Sequence, residues 1–180
     1  MVYVFLADGF EEIEALTPVD LLRRAGVRVT TLGVGGKWEI VGSHGITVTA
    51  DAPDTAFDDN APQMIVLPGG MPGAANLDAS PIVAAALEKA ASSGGFLAAI
   101  CAAPMVLGHR GYLAGKQATC YPGFENELKG AETRRAPVVR DGNVITGAGM
   151  GVATEFALAL VEALCGGDKA AALAKGILKA

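Results

Sequence analysis

Cys101 and Glu14 are the side chains whose type and surroundings could do chemistry. Cys101 closes an apolar, glycine-led run, Gly94-Gly95-Phe96-Leu97-Ala98-Ala99-Ile100-Cys101, and Ala102-Ala103-Pro104-Met105-Val106-Leu107 follows at once. The first run predicts a buried strand. The second predicts a helix whose early turn tolerates Pro104, because the first helical N–H groups have no intrahelical partner. A thiol at this junction sits on a sharp strand-to-helix turn at a strand's carboxyl end, where open α/β sheets place their chemistry. The helix N-terminus supplies free N–H donors and partial positive charge, so the thiol pKa is expected below the ~8.5 of free cysteine. The alternative is a small buried hydrophobe, which most free cysteines are.

A cysteine nucleophile needs a base or a charged partner. His109 lies ~12 Å further along the predicted helix at 1.5 Å per residue, out of hydrogen-bonding reach. His44, in the loop-like Gly42-Ser43-His44-Gly45, could line a pocket or simply be solvated. Glu11, Glu12 and Glu14 follow the first strand, at a carboxyl end like that of Cys101. Glu11 and Glu12 are read as complements to a helix macrodipole. Glu14 is flanked by Ile13, Ala15 and Leu16. A carboxyl held among apolar groups has a raised pKa and can pass a proton to a neighbouring thiolate or substrate oxygen.

Two glycine turns follow strands. Pro68-Gly69-Gly70-Met71 could present N–H groups to an oxyanion near Cys101. Gly147-Ala148-Gly149-Met150-Gly151 has the spacing G-x-G-x-G and no later strand bearing an acidic residue, so it fails as a dinucleotide fingerprint. No cluster of metal-ligating residues emerges, and no cofactor is expected.

The elements that must position these residues alternate strand and helix. Strands are expected at Val2–Ala7, Val27–Val34, Met64–Leu67, the run before Cys101, and Gln117–Tyr121. A short β excursion falls at 37–49, and a hairpin on Asp141-Gly142 at 138–145. Thr17-Pro18-Val19-Asp20 has the form of a capping box opening a helix to Ala25, with Gly26 beyond its end. Further helices are expected from Pro81 to about Ala91, from Val152 to Leu164, and from Asp168 to Leu178. The pattern predicts one α/β domain over 1–180, a mostly parallel sheet with helices on both faces.

Composition narrows the classes. The 180 residues are 51% hydrophobic and 18% charged, with 24 glycines, which argues against disorder. A net charge of −5 gives no signal for nucleic acid or an anionic membrane. The uncharged stretch from Ser92 to Gly108 is shorter than the ~20 residues of a bilayer span. Met1-Val2-Tyr3-Val4-Phe5-Leu6 lacks a basic n-region and soon meets Asp8, unlike a signal peptide. Three cysteines without C-x-x-C point to a reducing, cytoplasmic setting.

Five segments together resemble the ThiJ/PfpI superfamily, and within it the branch of the parkinsonism-associated deglycase. They are Ala7-Asp8-Gly9-Phe10-Glu11-Glu12-Ile13-Glu14, Pro18 to Gly26, Val66-Leu67-Pro68-Gly69-Gly70, Ala98-Ala99-Ile100-Cys101-Ala102-Ala103-Pro104, and Glu155 to Leu164. The resemblance covers nearly the whole chain. It implies a flavodoxin-like three-layer sandwich, a homodimer, Cys101 as the reactive cysteine and Glu14 as its carboxyl partner. It also implies an anion site formed by the N–H groups of Gly70 and Ala102, and Gly69, Tyr121, His44 and Arg24 are the candidates for a pocket beside it. The activities it implies are cofactor-free conversion of methylglyoxal or glyoxal to hydroxy acids and removal of early glycation adducts. Redox sensing by Cys101 with chaperone-like protection is the alternative, and it uses the same residues. Two positions depart from relatives. Thr119-Cys120-Tyr121-Pro122 carries Tyr121 where some relatives have His, and Ala102 stands where protease-type relatives have His, which argues against a peptidase. With only His109 downstream of Cys101, an amidotransferase triad is also missing.

Overall fold

Apolar runs rich in Val, Ile and Leu form the centre of the sheet because both of its faces are covered. The structure, a computed structural model, describes residues 1–179. The first half runs β1 (Val2–Leu6), α1 (Glu12–Arg24), β2 (Val29–Gly33), β3 (Glu39–Val41), β4 (Thr47–Thr49), β5 (Ala52–Pro53) and β6 (Met64–Leu67). There follow α2 (Gly73–Ala79), α3 (Pro81–Ser92), β7 (Phe96–Ile100), α4 (Pro104–His109), β8 (Gln117–Ala118) and β9 (Glu132–Thr133). The hairpin of β10 (Val138–Asp141) and β11 (Val144–Gly147), then α5 (Ala153–Cys165) and α6 (Gly167–Gly176), completes the chain.

Seven strands make one sheet in the order β10-β11-β7-β6-β1-β2-β5, parallel except where β10 turns back on β11. One core lies between this sheet and α2, α3 and α4, with Phe5, Ile65, Leu87 and Val106 fully buried. The other lies against α1, α5 and α6, around Leu6, Leu22, Phe156 and Leu160. This is the flavodoxin-like α/β sandwich expected. Its consequence for function is that the carboxyl ends of β1, β6 and β7 meet at one edge. Among the described residues, no helix is long and apolar enough to cross a membrane.

The start of α1 corrects the expectation of a Thr17 cap. Glu11 is the cap, its carboxylate accepting the Glu14 N–H at 2.7 Å, so the helix begins five residues before Thr17. Pro18 then falls inside the helix, where it lacks the N–H that would have bonded the Glu14 carbonyl. The predicted strand 117–121 shrinks to Gln117–Ala118, and the excursion at 37–49 becomes the antiparallel pair β3–β4. The helix α2 was not expected, because Gly73 at its start reads as part of the preceding glycine turn.

Candidate active site

The backbone at Cys101 is the first sign of a built site. It has φ of 64°, the left-handed region that costs a non-glycine residue ~1–2 kcal/mol. Backbone hydrogen bonds on both sides hold that conformation. The Cys101 N–H donates to the Gly147 carbonyl at 2.9 Å, and the Cys101 carbonyl accepts from the Tyr121 N–H at 2.9 Å. The chain then turns through Ala102 and Ala103 into α4, with Pro104 in its first turn. The thiol is left half-buried at the end of β7.

Glu14 sits in the first turn of α1 and is fully buried. One carboxyl oxygen, Oε2, accepts the Gly69 N–H at 2.9 Å, and the Gly69 carbonyl accepts the Glu11 N–H at 2.9 Å. The other oxygen, Oε1, has no hydrogen-bond partner among the described residues. Gly69 lies between carboxyl and thiol: a Cβ there would come within 2.6 Å of both Cys101 Cβ and Glu14 Oε2. Gly70 has φ of 84°, and a Cβ on it would strike Glu11 N at 2.5 Å and Gly9 O at 2.6 Å, so only glycine fits. The backbone N–H groups of Gly70 and Ala102 act on the Cys101 sulfur, each pulling the thiol's pKa down. The geometry thus brings Cys101, Glu14, Gly69, Gly70 and Ala102 into one constellation.

The electrostatics correct one expectation. Burial pushes the Glu14 carboxyl up to about 7, with the nearby Glu11 charge adding to it, against the pull of the Cys101 thiol and the Gly69 N–H. Burial also pushes the Cys101 thiol up to about 12, reinforced by the Glu14 charge and the thiol's own bond to that carboxylate. The Gly70 and Ala102 donors oppose this without overcoming it. The thiol is therefore not lowered on its own, because the helix-end field is weaker than desolvation next to a carboxylate. The two groups titrate as a pair. One proton leaves near 7 and the second near 12, so between those values the pair holds one proton and one negative charge.

Tyr121 stands at the rim, its ring half exposed and lying over Gly149, where a Cβ would come within 3.2 Å of it. His44 is not at the thiol. Its ring and its N–H both bond Glu12, at 2.8 Å each, which docks the β3–β4 turn onto the start of α1. Arg24 is also elsewhere. Ten residues beyond Glu14 along α1 place it ~15 Å away, where it pairs with Asp20 at 2.7 Å. His109 is held between Asp78 at 2.7 Å and Glu127 at 2.9 Å, apart from the site. Cys101, Cys120 and Cys165 are all free thiols.

Glu12 is the residue whose place the sequence did not reveal. It is buried, and although burial alone would raise its carboxyl, the hydrogen bonds from His44 hold it at about 2. The signal was available once α1 begins at Glu12, since Glu12 and Glu14 then lie on opposite sides of the helix. Donor atoms of Glu11, Glu12 and His44 lie within 4.8 Å of one another, as in a metal set. Both Glu12 oxygens, however, are already engaged by His44.

Comparison with known proteins places this geometry in context. Residues 1–163 match the DJ-1/PfpI family. Protein dj-1beta of Drosophila melanogaster is 39% identical over 179 residues, 98% of this chain and 96% of that protein. Its crystal structure matches with a TM-score of 0.94, covering 99% of this chain and 97% of that one. The glutathione-independent glyoxalase DJR-1.2 of Caenorhabditis elegans is 34% identical over 168 residues, 92% of this chain and 88% of the relative. An oxidized Toxoplasma gondii DJ-1 matches with a TM-score of 0.95 at 36% identity, covering 99% of this chain and 98% of that one.

Proposed function

The chain belongs to the DJ-1/PfpI family, and on that premise we propose that it is a cofactor-independent enzyme converting 2-oxoaldehydes, such as methylglyoxal or glyoxal, to 2-hydroxy acids. The observation that carries this is the Cys101–Glu14 pair packed across Gly69, with two backbone N–H groups on the sulfur. In the singly charged pair, the N–H donors of Gly70 and Ala102 favour charge on sulfur. Burial, with Oε1 left without a donor, disfavours charge on the Glu14 carboxyl against the pull of the Gly69 N–H on Oε2. The reactive form is Cys101 thiolate beside a protonated Glu14.

The thiolate adds to the aldehyde carbon, forming a C–S bond, and the carbonyl oxygen takes the Glu14 proton to give a hemithioacetal. The Glu14 carboxylate then removes the C1 proton and returns a proton at C2, so that an enediol collapses to a 2-hydroxyacyl thioester. Water cleaves the thioester, releasing the hydroxy acid and restoring the thiolate and the acid. One water is consumed and no electrons leave the substrate, so neither metal nor coenzyme is required. The naming of the C. elegans relative as a glutathione-independent glyoxalase supports this chemistry. The same site would act on early glycation adducts that release an oxoaldehyde. Three free cysteines fit work in a reducing cytoplasm.

Purified reduced protein, without glutathione or added metal, should form lactate from methylglyoxal, and Cys101→Ala and Glu14→Gln should not. Lactate no faster than in the Cys101→Ala protein overturns the assignment. A second reading has one observation in its favour, the oxidized state of the T. gondii relative. Here peroxide oxidises the Cys101 thiolate to sulfenate and then sulfinate, whose oxygens the same N–H groups and Glu14 would hold. A mass gain of two oxygens on Cys101 at low peroxide, in a protein without turnover, would favour it.

A further inference from the structure

A cleft of about 740 Å³ opens between the Cys120–Pro122 loop, the segment 133–137 and the turn from Ala148 to Val152. The chemistry above leaves it unused. Its walls are mostly apolar, with Glu125, Arg134 and Arg135 as their charged members, the make-up of an ordinary small-molecule site. The cleft lies beside the Cys101 elbow, its wall formed by the chain neighbours of that residue's two backbone partners. The Cys101 N–H donates to Gly147, the neighbour of Ala148, and the Cys101 carbonyl accepts from Tyr121, which lies between Cys120 and Pro122.

The charged groups differ in how far they are engaged. Arg134 is paired with Glu132 at 2.7 Å. Arg135, also in the wall, makes no ion pair or hydrogen bond among the described residues. The one carboxylate of the cleft, Glu125, accepts the Gly123 N–H at 2.7 Å. Backbone N–H groups of Glu125 and Gly123 hold its carboxyl below the usual range, with the Arg135 guanidinium adding to them. An unengaged guanidinium is a planar fork suited to a carboxylate.

We propose that this cleft is a subsite for the carboxylate tail of a larger 2-oxoaldehyde, with Arg135 binding the tail while the aldehyde carbon meets Cys101. The role of the tail rests on the aldehyde chemistry proposed above. Glu125 sets the class: it offsets part of the Arg135 field, so the subsite takes a single carboxylate rather than a dianion. Methylglyoxal has no tail and is indifferent to it.

The test compares methylglyoxal with 4,5-dioxopentanoate, a 2-oxoaldehyde bearing a terminal carboxylate, in the parent and in Arg135→Gln. KM for 4,5-dioxopentanoate should rise about tenfold or more, the loss expected for one charge-assisted contact. Its kcat should hold, and both constants for methylglyoxal should stay put. Binding without chemistry is read by calorimetry with levulinate, the tail without the aldehyde, on Cys101→Ser protein. Levulinate should bind, bind more tightly with Glu125→Gln added, and lose affinity with Arg135→Gln added. Arg135-dependent levulinate binding in a protein that turns over neither aldehyde keeps the anion subsite and overturns the aldehyde chemistry. Normal methylglyoxal turnover with KM for 4,5-dioxopentanoate unmoved by Arg135→Gln overturns the subsite. So does an equal change for both substrates, or levulinate binding indifferent to Arg135.

Discussion

Replacing Glu14 with Gln should abolish the ionisation near pH 7 that makes Cys101 reactive. In the parent the pair loses its first proton near 7 and its second near 12. A thiol that titrated alone at 12 would be ~0.01% thiolate at pH 8, four decades below full ionisation. If the singly charged pair places its charge on sulfur even a tenth of the time, reactivity at pH 8 exceeds that figure by ~1000-fold. Glu14→Gln keeps the shape but holds no transferable proton, so only a lone thiol titration remains. Burial still raises it, and the Glu14 charge that raised it further is gone, so it should lie between the ~8.5 of free cysteine and 12. Iodoacetamide alkylation of Cys101 against pH reads this directly. The parent should show a step near 7 followed by a plateau, whereas Glu14→Gln and Glu14→Leu should show none there and a tenfold rise per pH unit into the alkaline range. Stability moves with the same group. A buried acid whose folded pKa is raised contributes stability present below its ordinary 4.5 and lost as pH rises through about 7. The rise from 4.5 to about 7 amounts to ~3 kcal/mol. Urea unfolding at pH 8 should therefore find Glu14→Gln more stable than the parent, with the advantage gone by pH 4. A Glu14→Gln protein that still steps near pH 7 would show that another group titrates there, and the paired assignment would fall.

Three further outcomes follow from the site's construction. Cys101→Gly should be more stable than Cys101→Ala by ~1 kcal/mol in urea unfolding, because only alanine pays for the left-handed backbone at φ 64°; an alanine variant as stable as the glycine one would mean that the elbow is not strained. Gly69→Ala, with its Cβ 2.6 Å from both reacting groups, should fold yet lose most aldehyde turnover, whereas Cys120→Ser with Cys165→Ser should keep turnover within a few-fold. The protein should sediment as a dimer at micromolar concentration through the half-exposed Ile13 and Leu16 of α1 together with Met150, and a monomer there would refute this.

The centre of the sheet was legible because β1, β6 and β7 are continuous apolar runs. Met64-Ile65-Val66-Leu67 is the clearest case, since nothing else buries four such residues in a row between turn signals. The start of α1 was not legible. Thr17-Pro18-Val19-Asp20 satisfies the local rules for a helix start, and the earlier start at Glu12 is held by the Glu11 cap together with the distant Gly69, which binds both the Glu11 N–H and the Glu14 carboxyl. The Glu11 cap itself is local, but the choice between it and Thr17 is reinforced by a residue more than fifty positions away.

The site divides along the same line. That a thiol at the end of an apolar strand meets a helix N-terminus is a local fact, and the elbow at Cys101 follows from it. What the thiol's proton does depends on the carboxyl that arrives from α1. The helix-end argument considers Cys101 with backbone dipoles alone, and so predicts a lowered pKa. With Glu14 buried across Gly69, desolvation acts on both acids and each opposes the other's ionisation, so neither is a strong acid by itself. The pair nonetheless yields one negative charge near neutral pH. The Gly70 and Ala102 N–H groups draw that charge toward the sulfur and the Gly69 N–H draws it toward the carboxyl, and the proposed chemistry uses the share that rests on sulfur. Reactivity here belongs to the pair rather than to the cysteine, and it could be read only once both ends of the chain's path to Gly69 were in place.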